Sequence, residues 1–269
     1  MPELPEIASR AKEIKQSLVG KKILNVEILQ PKCLNMPPEE VSTNLINSSI
    51  LDSTNRGKWI QIEITSGWLL INLGMGGDLL LTNRTHLPEK YRLIFDFSDG
   101  TCLTINFCWF GYVHFCKTDG ILQHSMTKKL GPNVLDLSES EFKVALGSKK
   151  GRIKAFLLDQ SNVAGIGNAY IHDILFLAKV HPNRIIQSLD ENEITRLYQG
   201  IRQGLIPSLE KGGAFYEKNL HGEKGGFTME DILIGYREGT PCPVCQTPIQ
   251  KIKTGSTSSF ICPTCQPEF

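Results

Sequence analysis

The chain has 269 residues, 41% apolar and 21% charged, and its 29 Lys and Arg against 28 Asp and Glu leave a net charge of +1. Such a composition excludes a disordered or fibrous protein and gives one or two domains ample core. The near balance excludes a protein that coats nucleic acid by bulk charge, while leaving open a local basic groove. No apolar run reaches the roughly 20 residues of a membrane span. The acidic start Met1-Pro2-Glu3 is unlike a secretory signal, so no membrane partner is expected.

Residues 4–19 place Ile7, Ala11, Ile14 and Leu18 on one stripe, which predicts an amphipathic helix with Pro5 in its first turn and Gly20 as C-cap. From residue 22 to 116 the apolar period falls to two. Ile60, Ile62 and Ile64 alternate with Gln61, Glu63 and Thr65. Leu93, Phe95 and Phe97 lead through the hairpin turn Asp99-Gly100 to Leu103, Ile105 and Phe107. Many short strands in a row predict an antiparallel sandwich or barrel with the first helix against it. After Asp119-Gly120 the pattern turns helical. Helices are predicted over 138–146, capped by Ser138 with Glu141 three residues on, over 152–159 and over 168–179. Another, marked by Ile194, Leu197, Ile201 and Leu205, ends near Pro207. Residues 211–227 read as an exposed loop.

Four of the eight cysteines lie in the last 28 residues as Cys242-x2-Cys245 and Cys262-x2-Cys265, with 16 residues between the pairs. Two such knuckles set four thiolates tetrahedrally around one Zn²⁺, and a site filled by four cysteines is closed, hence structural. The alternative, a pair of disulfides, suits a secreted chain, which nothing here marks. Residues 248–253 and 259–261 read as two short strands with Gly255 in the turn. The expected fold class is therefore α+β and multidomain. It comprises an N-terminal helix plus antiparallel β-sandwich over 1–120, a helical domain over 121–227, and a zinc-finger β-hairpin over 228–269.

Lys149, Lys150, Arg152 and Lys154 put four cations in six residues, leading into two helices joined by Val163-Ala164-Gly165-Ile166-Gly167. Glycines there expose backbone N–H groups to a phosphate, although a solvated charged face would look the same. The opening Pro2-Glu3-Leu4-Pro5-Glu6 concentrates an imino acid and two carboxylates. Removal of Met1 would free the Pro2 amine. With a pKa near that of an α-amino group, about a third of it is neutral near pH 7.5, against about 0.1% of a lysine. A neutral amine beside carboxylates is a competent nucleophile with acid/base groups at hand.

That opening resembles the N-terminal signature of the formamidopyrimidine-DNA glycosylase / endonuclease VIII family, base-excision repair enzymes with an N-terminal proline nucleophile. Gly57-Lys58-Trp59 is similar to the family's lysine-bearing β-turn, Leu73-Gly74-Met75-Gly76-Gly77 to its methionine loop, and Leu130-Gly131-Pro132 to the start of its helical domain. Residues 163–170 resemble its helix–two-turns–helix; His181-Pro182-Asn183-Arg184 and the four cysteines complete the series. The resemblance implies a DNA glycosylase with AP lyase activity acting on double-stranded DNA that carries a damaged base, oxidised or ring-opened, or an abasic site. Pro2 would attack C1′ of the flipped nucleotide, Glu3 would serve as acid/base, Glu6 would hold sugar or proline, and Lys58 would contact the phosphate beside the lesion. Asn72, Lys154 and Asn168 would bind DNA, Met75 and Phe110 would fill and wedge the stack, and Trp109 could stack in place of the family's arginine, tolerating any opposite base or none. Residues 212–227 would form a mobile lid. A monomer in the cytoplasm, nucleoid-associated in a bacterium, is implied as well.

Departures from the family pattern point to a divergent member. The wedge loop, roughly Asp-Pro-Arg-Arg-Phe-Gly in the family, is Asn106-Phe107-Cys108-Trp109-Phe110-Gly111, without the arginine that pairs with the orphaned base. Thr257 stands where the zinc-finger tip carries a phosphate-gripping arginine, Asn72 where a histidine is usual, and Asp173 where a glutamate is usual. Relaxed opposite-base preference or an unusual lesion is the expectation. Two alternatives stand beside it: a damaged-DNA or abasic-site binding protein of the same fold with reduced or lost turnover, and a zinc-ribbon RNA-binding protein. The retained Pro2, Glu3, Glu6 and Lys58 favour the enzyme.

Overall fold

Helix α1 (Leu4–Leu18) of the computed structural model buries the predicted stripe, Ile7, Ala11, Ile14 and Leu18, against a β-rich body. The structure describes residues 1–147 and 149–268. They form two units, one of Met1–Lys129 with Gly212–Gly226, the other of Leu130–Lys211 with the residues from Phe227 on.

In the first unit, β1 (Ile23–Ile28) is followed by helix α2 (Pro38–Leu45) and strands β2 (Ile50–Arg56), β3 (Trp59–Ile64), β4 (Gly67–Asn72), β5 (Asp78–Asn83), β6 (Leu93–Phe97), β7 (Thr101–Asn106) and β8 (Tyr112–Cys116). Two four-stranded antiparallel sheets result, ordered β2-β3-β4-β8 and β1-β6-β7-β5. One apolar cluster takes Ile60, Ile62 and Phe115 from the first sheet, Phe95, Leu103 and Ile105 from the second, and the α1 stripe. The period-two residues of the sequence are thus its inner faces. The Asp99-Gly100 turn forms as expected: Gly100 sits at φ +83°, and Asp99 accepts from Thr101 N at 3.0 Å and pairs with Lys21 at 2.6 Å. Helix α2 lies inside the stretch read as all strand. Pro38 and two acidic residues suit its first turn, but only Val41 and Leu45 are buried, too short a stripe to stand out among strands.

The second unit holds α3 (Glu139–Gly147), α4 (Ile153–Leu158), α5 (Ile171–Leu177), α6 (Glu191–Glu210) and the hairpin β9 (Gln250–Thr254)–β10 (Thr257–Ile261). Ser138 and Glu141 cap α3 reciprocally, with Ser138 N to Glu141 Oε2 at 2.8 Å. Helix α6 runs past Pro207 instead of ending there. One backbone hydrogen bond is lost at the proline, but the turn beyond it is held by packing. Ser208 is fully buried and shares a 2.6 Å hydrogen bond with the Tyr170 hydroxyl. At Gly204 a Cβ would lie 2.7 Å from Ile174 Cγ1, so glycine lets α6 lie close on α5.

Two expected boundaries shift. Residues 212–226 join the first unit, because their backbone bonds run to α1 and β5: Leu220 N donates to Glu13 Oε2 at 2.8 Å, and Leu81 N to Leu220 O at 2.7 Å. The zinc hairpin groups with the helices, because Phe176 of α5 shares an apolar cluster with Ile234, Ile249, Phe260, Cys242 and Cys262. Asp173 reinforces this: its buried carboxylate accepts the N–H groups of Leu233, Ile234 and Gly235 at 2.8–2.9 Å. Among the described residues no helix is long and apolar enough to cross a membrane.

Candidate active site

Pro2, Glu3 and Glu6 are buried together where α1 begins. Glu3 occupies the N-cap, and its N–H donates to Glu6 Oε2 at 2.8 Å. The other oxygen of that carboxylate, Oε1, accepts from Ala214 N at 3.0 Å. One carboxylate therefore ties the first residues of the chain to the 212–226 segment. Gly213, at φ +101°, permits the approach, since a Cβ there would stand 2.9 Å from Glu6 Cγ. Arg10, one turn further along α1, donates to the carbonyls of Lys218 at 2.5 Å and Gly212 at 3.1 Å and pairs with Glu13 at 3.1 Å. Burial pulls its guanidinium pKa below the ordinary value.

The segment is no loose loop. Gly225 N donates to Glu217 O and Asn219 N to Glu223 O, closing a small hairpin on α1. Its half-buried acid, Glu217, has a carboxyl pKa pushed up to about 7, first by burial, then by the charges of Glu6 and Asp78; the amino terminus and Arg10 oppose the rise.

Lys58 forms the two-residue turn Gly57-Lys58 between β2 and β3, with Arg56 paired to Trp59. Behind it Trp59 stacks on Tyr112 and touches His114 and His124. The two histidines share a 2.8 Å Nδ1–Nε2 contact, and burial with the neighbouring ring takes His114 down to about 4, so it is neutral at pH 7. Asn72 differs from expectation. It is 9% exposed, its Nδ2 donates to Lys58 O at 3.0 Å and its Oδ1 accepts from Gly74 N at 3.0 Å. It fastens the lysine turn to the methionine loop rather than presenting a donor at the surface.

That loop is stitched to the wedge loop: Met75 N donates to Trp109 O, and Trp109 N to Met75 O, both at 3.2 Å. Three large apolar side chains are left outside, Met75 at 48%, Trp109 at 71% and Phe110 at 54% exposure. Exposed apolar clusters of this kind mark binding surfaces.

In the second unit Asn168 is exposed in the turn just before α5, with its carbonyl accepting from the Tyr236 hydroxyl at 3.2 Å. Gln160 braces this turn through Gly165 N and Ile166 O. Lys154 departs from its expected DNA-facing place. It is 4% exposed, and its Nζ donates within 3.0 Å to Thr254 Oγ1, Thr257 Oγ1, Ser258 O and Ser259 Oγ. Burial without a carboxylate lowers its pKa to about 8. Thr257, the departure at the zinc-finger tip, is thus an acceptor for a lysine on α4. Next to it His172, held down at about 3 by burial and by the Lys154 charge, accepts from Phe260 N at 3.3 Å.

The four cysteine sulfurs of the second unit lie within 4.8 Å of one another. Separations of 3.3, 3.5 and 3.9 Å among them bracket the roughly 3.8 Å edge of a tetrahedron with 2.3 Å Zn–S bonds. All eight cysteines lie among the described residues, and none is in a disulfide. The thiols fit one structural zinc.

Sequence reading missed Arg10, Glu217 and the Lys154–hairpin lock. For Arg10 a signal existed, a charge beside the buried stripe at Ile7 and Ala11; the others depend on distant segments meeting.

A β-sandwich with Pro2 buried beside the amino terminus, a glycine turn between helices and a four-thiolate hairpin define a zinc-finger protein of the DNA-glycosylase class. The formamidopyrimidine-DNA glycosylase N-terminal domain matches residues 1–107, the H2TH domain of the same glycosylase 130–218, and the zinc finger found in FPG and IleRS 239–267. The formamidopyrimidine-DNA glycosylase of Pelotomaculum thermopropionicum is 35% identical over 273 residues, covering 99% of each chain. Lactococcus lactis Fpg in complex with DNA containing an abasic site superposes with a TM-score of 0.90 at 30% identity, covering 98% of this chain and 99% of that one. The wild-type Lactococcus lactis enzyme with N7-benzyl-Fapy-dG DNA gives 0.91 at 31% identity over 99% and 100% of the two chains. The chain belongs to the formamidopyrimidine-DNA glycosylase family. It is a DNA-binding base-excision glycosylase, and AP lyase activity is general to that family.

Proposed function

We propose that this glycosylase works through Pro2 on double-stranded DNA carrying an oxidised or ring-opened base, or an abasic site, and tolerates any base opposite the lesion. What carries this reading is the burial of Pro2 at the start of α1 beside Glu3 and Glu6, which are hydrogen-bonded to each other. Once Met1 is removed, the Pro2 nitrogen is a secondary amine that attacks C1′ of an extruded nucleotide. The C1′–N bond breaks as the base leaves with a proton, O4′ is protonated and the C1′–O4′ bond opens, and the iminium so formed between C1′ and the Pro2 nitrogen undergoes elimination that cleaves the strand. Glu3 is the acid/base at the sugar. Glu6, with its oxygens occupied by Glu3 N and Ala214 N, positions the terminus. Lys58 meets the phosphate beside the lesion and Asn168 another. Lys154 supports the hairpin that approaches DNA, and the enzyme acts as a cytoplasmic monomer.

Met75 and Phe110 fill the vacated stack, and Trp109, 71% exposed, stacks on the orphaned base. An indole face accepts every base, whereas an arginine selects by hydrogen bonds. Excision of a ring-opened purine opposite each of the four bases is expected to vary by less than about threefold. Trp109→Ala is expected to weaken binding to abasic DNA by about 1–3 kcal/mol. A strong preference for one partner base in single-turnover assays would remove the basis for this part of the reading.

A further inference from the structure

Of the described residues 117–129, which lead from β8 to the start of the second unit, only His124 and Thr127 are buried. The apolar Leu122 and Met126 of the same segment are exposed. A surface segment is ordinarily pinned by burying its apolar side chains, because burying polar ones costs free energy unless they are hydrogen-bonded. Here the polar pair goes in, and its hydrogen bonds run to a third buried residue, His114 of β8.

Those bonds have a direction. A backbone amide can only donate, so Thr127 N, at 3.3 Å, makes His124 Nδ1 an acceptor. The Thr127 hydroxyl, 2.9 Å from that nitrogen, donates to it as well. The His124 proton therefore sits on Nε2, which donates to His114 Nδ1 at 2.8 Å. Both rings are neutral in this order. Burial lowers the pKa of each, and the charge of its neighbour helps to take His114 down to about 4.

What the pair encloses is Trp59. The indole is 5% exposed, stacks on Tyr112 with 5.9 Å between ring centroids, and meets His114 at 5.7 Å and His124 edge-on at 5.4 Å. Trp59 directly follows Lys58, whose carbonyl accepts from Asn72 Nδ2. The lysine turn is thus held twice, through its own backbone and through the ring behind it. Apolar side chains at 114 and 124 would supply burial without direction, whereas a one-way chain of hydrogen bonds fixes the ring angles.

We propose that His114 and His124 are positioning residues that hold Lys58 in line for the phosphate beside the lesion, acting through the Trp59 ring. This rests on the phosphate-contacting reading of Lys58.

The test measures single-turnover excision of Fapy-dG by the full-length enzyme and four variants: His114→Leu, His114→Asn, Lys58→Ala, and His114→Leu combined with Lys58→Ala. His114→Leu removes the acceptor and is expected to slow excision about tenfold, because a displaced lysine loses its alignment. Asparagine carries its amide oxygen roughly where histidine carries Nδ1, so His114→Asn should stay within about threefold of wild type. Lys58→Ala is expected to cost about 10²-fold. On that background His114→Leu should cost less than about twofold more, since nothing is left to position. Nitrogen NMR of histidine-labelled wild-type enzyme, which needs no variant to fold, should show both rings as neutral Nε2–H tautomers at neutral pH. A leucine penalty that persists in full without Lys58, an asparagine variant as slow as the leucine one, or an Nδ1–H on either ring would overturn the proposal. Lys58→Ala that excises at the wild-type rate would instead overturn the reading of Lys58, and the pair's task with it.

Discussion

Glu3→Gln is expected to slow base excision by about 10²–10⁴-fold, the range over which a positioned acid/base acts, while the protein keeps its melting temperature within a few degrees. Glu3 sits at the N-cap of α1, 4% exposed, with its N–H on Glu6. Glutamine has the same shape and keeps an acceptor oxygen for the cap, so the helix start survives. What is lost is the ability to take and return a proton beside the sugar. Cleavage at a preformed abasic site should suffer as well, because elimination also moves a proton. Single-turnover excision within about threefold of wild type would take Glu3 out of the chemistry.

Removing the metal should have an effect as large, through stability. Zinc-finger sites bind with roughly 10–16 kcal/mol of apparent free energy, which becomes folding energy when the apo form is disordered. Here the loss would spread. Cys242 and Cys262 belong to the cluster shared by Phe176 of α5, Ile249 and Phe260, and β10 also supplies acceptors for Lys154 and a donor to His172. Without the hairpin, Lys154 loses every oxygen that its ammonium donates to, and the tie between α4 and the hairpin is gone. Chelation, or Cys262→Ser, is therefore expected to melt the hairpin and loosen α4 and α5, with DNA binding lost. Circular dichroism and gel-shift titrations on zinc-loaded and chelated protein would check this. Full DNA affinity after complete zinc removal would contradict the structural role of the metal.

Much of this architecture was legible in the chain, and what was legible shares a physical basis. The stripe Ile7, Ala11, Ile14, Leu18, the alternation at Ile60 to Ile64, the turn Asp99-Gly100 and the cysteine spacing all express local periodicity or a fixed ligand geometry. Helix α2 was hidden because eight residues with two buried side chains give almost no period. The end of α6 was misplaced because a proline rule is local, whereas Ser208 and Tyr170 are held together from distant parts of the chain. At the site the same division holds. The identities of Pro2, Glu3, Glu6 and Lys58 could be read, since the terminal motif itself carries them. The inward turn of Lys154, the inward turn of Asn72 and the docking of 212–226 on Glu6 and Arg10 could not. Charge and composition made that segment look solvated, while its backbone N–H and C=O groups, invisible to composition, are what hold it. Of the cations in the chain's near-neutral charge balance, Lys154 and Arg10 are both buried inside the protein.

The central claim, that Pro2 is the nucleophile, is tested most directly by borohydride reduction during reaction with a duplex containing an abasic site. Protein verified by mass spectrometry to begin at Pro2 should form a covalent adduct with the DNA, and peptide mapping should place the sugar fragment on the Pro2 nitrogen. Absence of any adduct from such protein, or an adduct mapped to a lysine instead, would contradict the account.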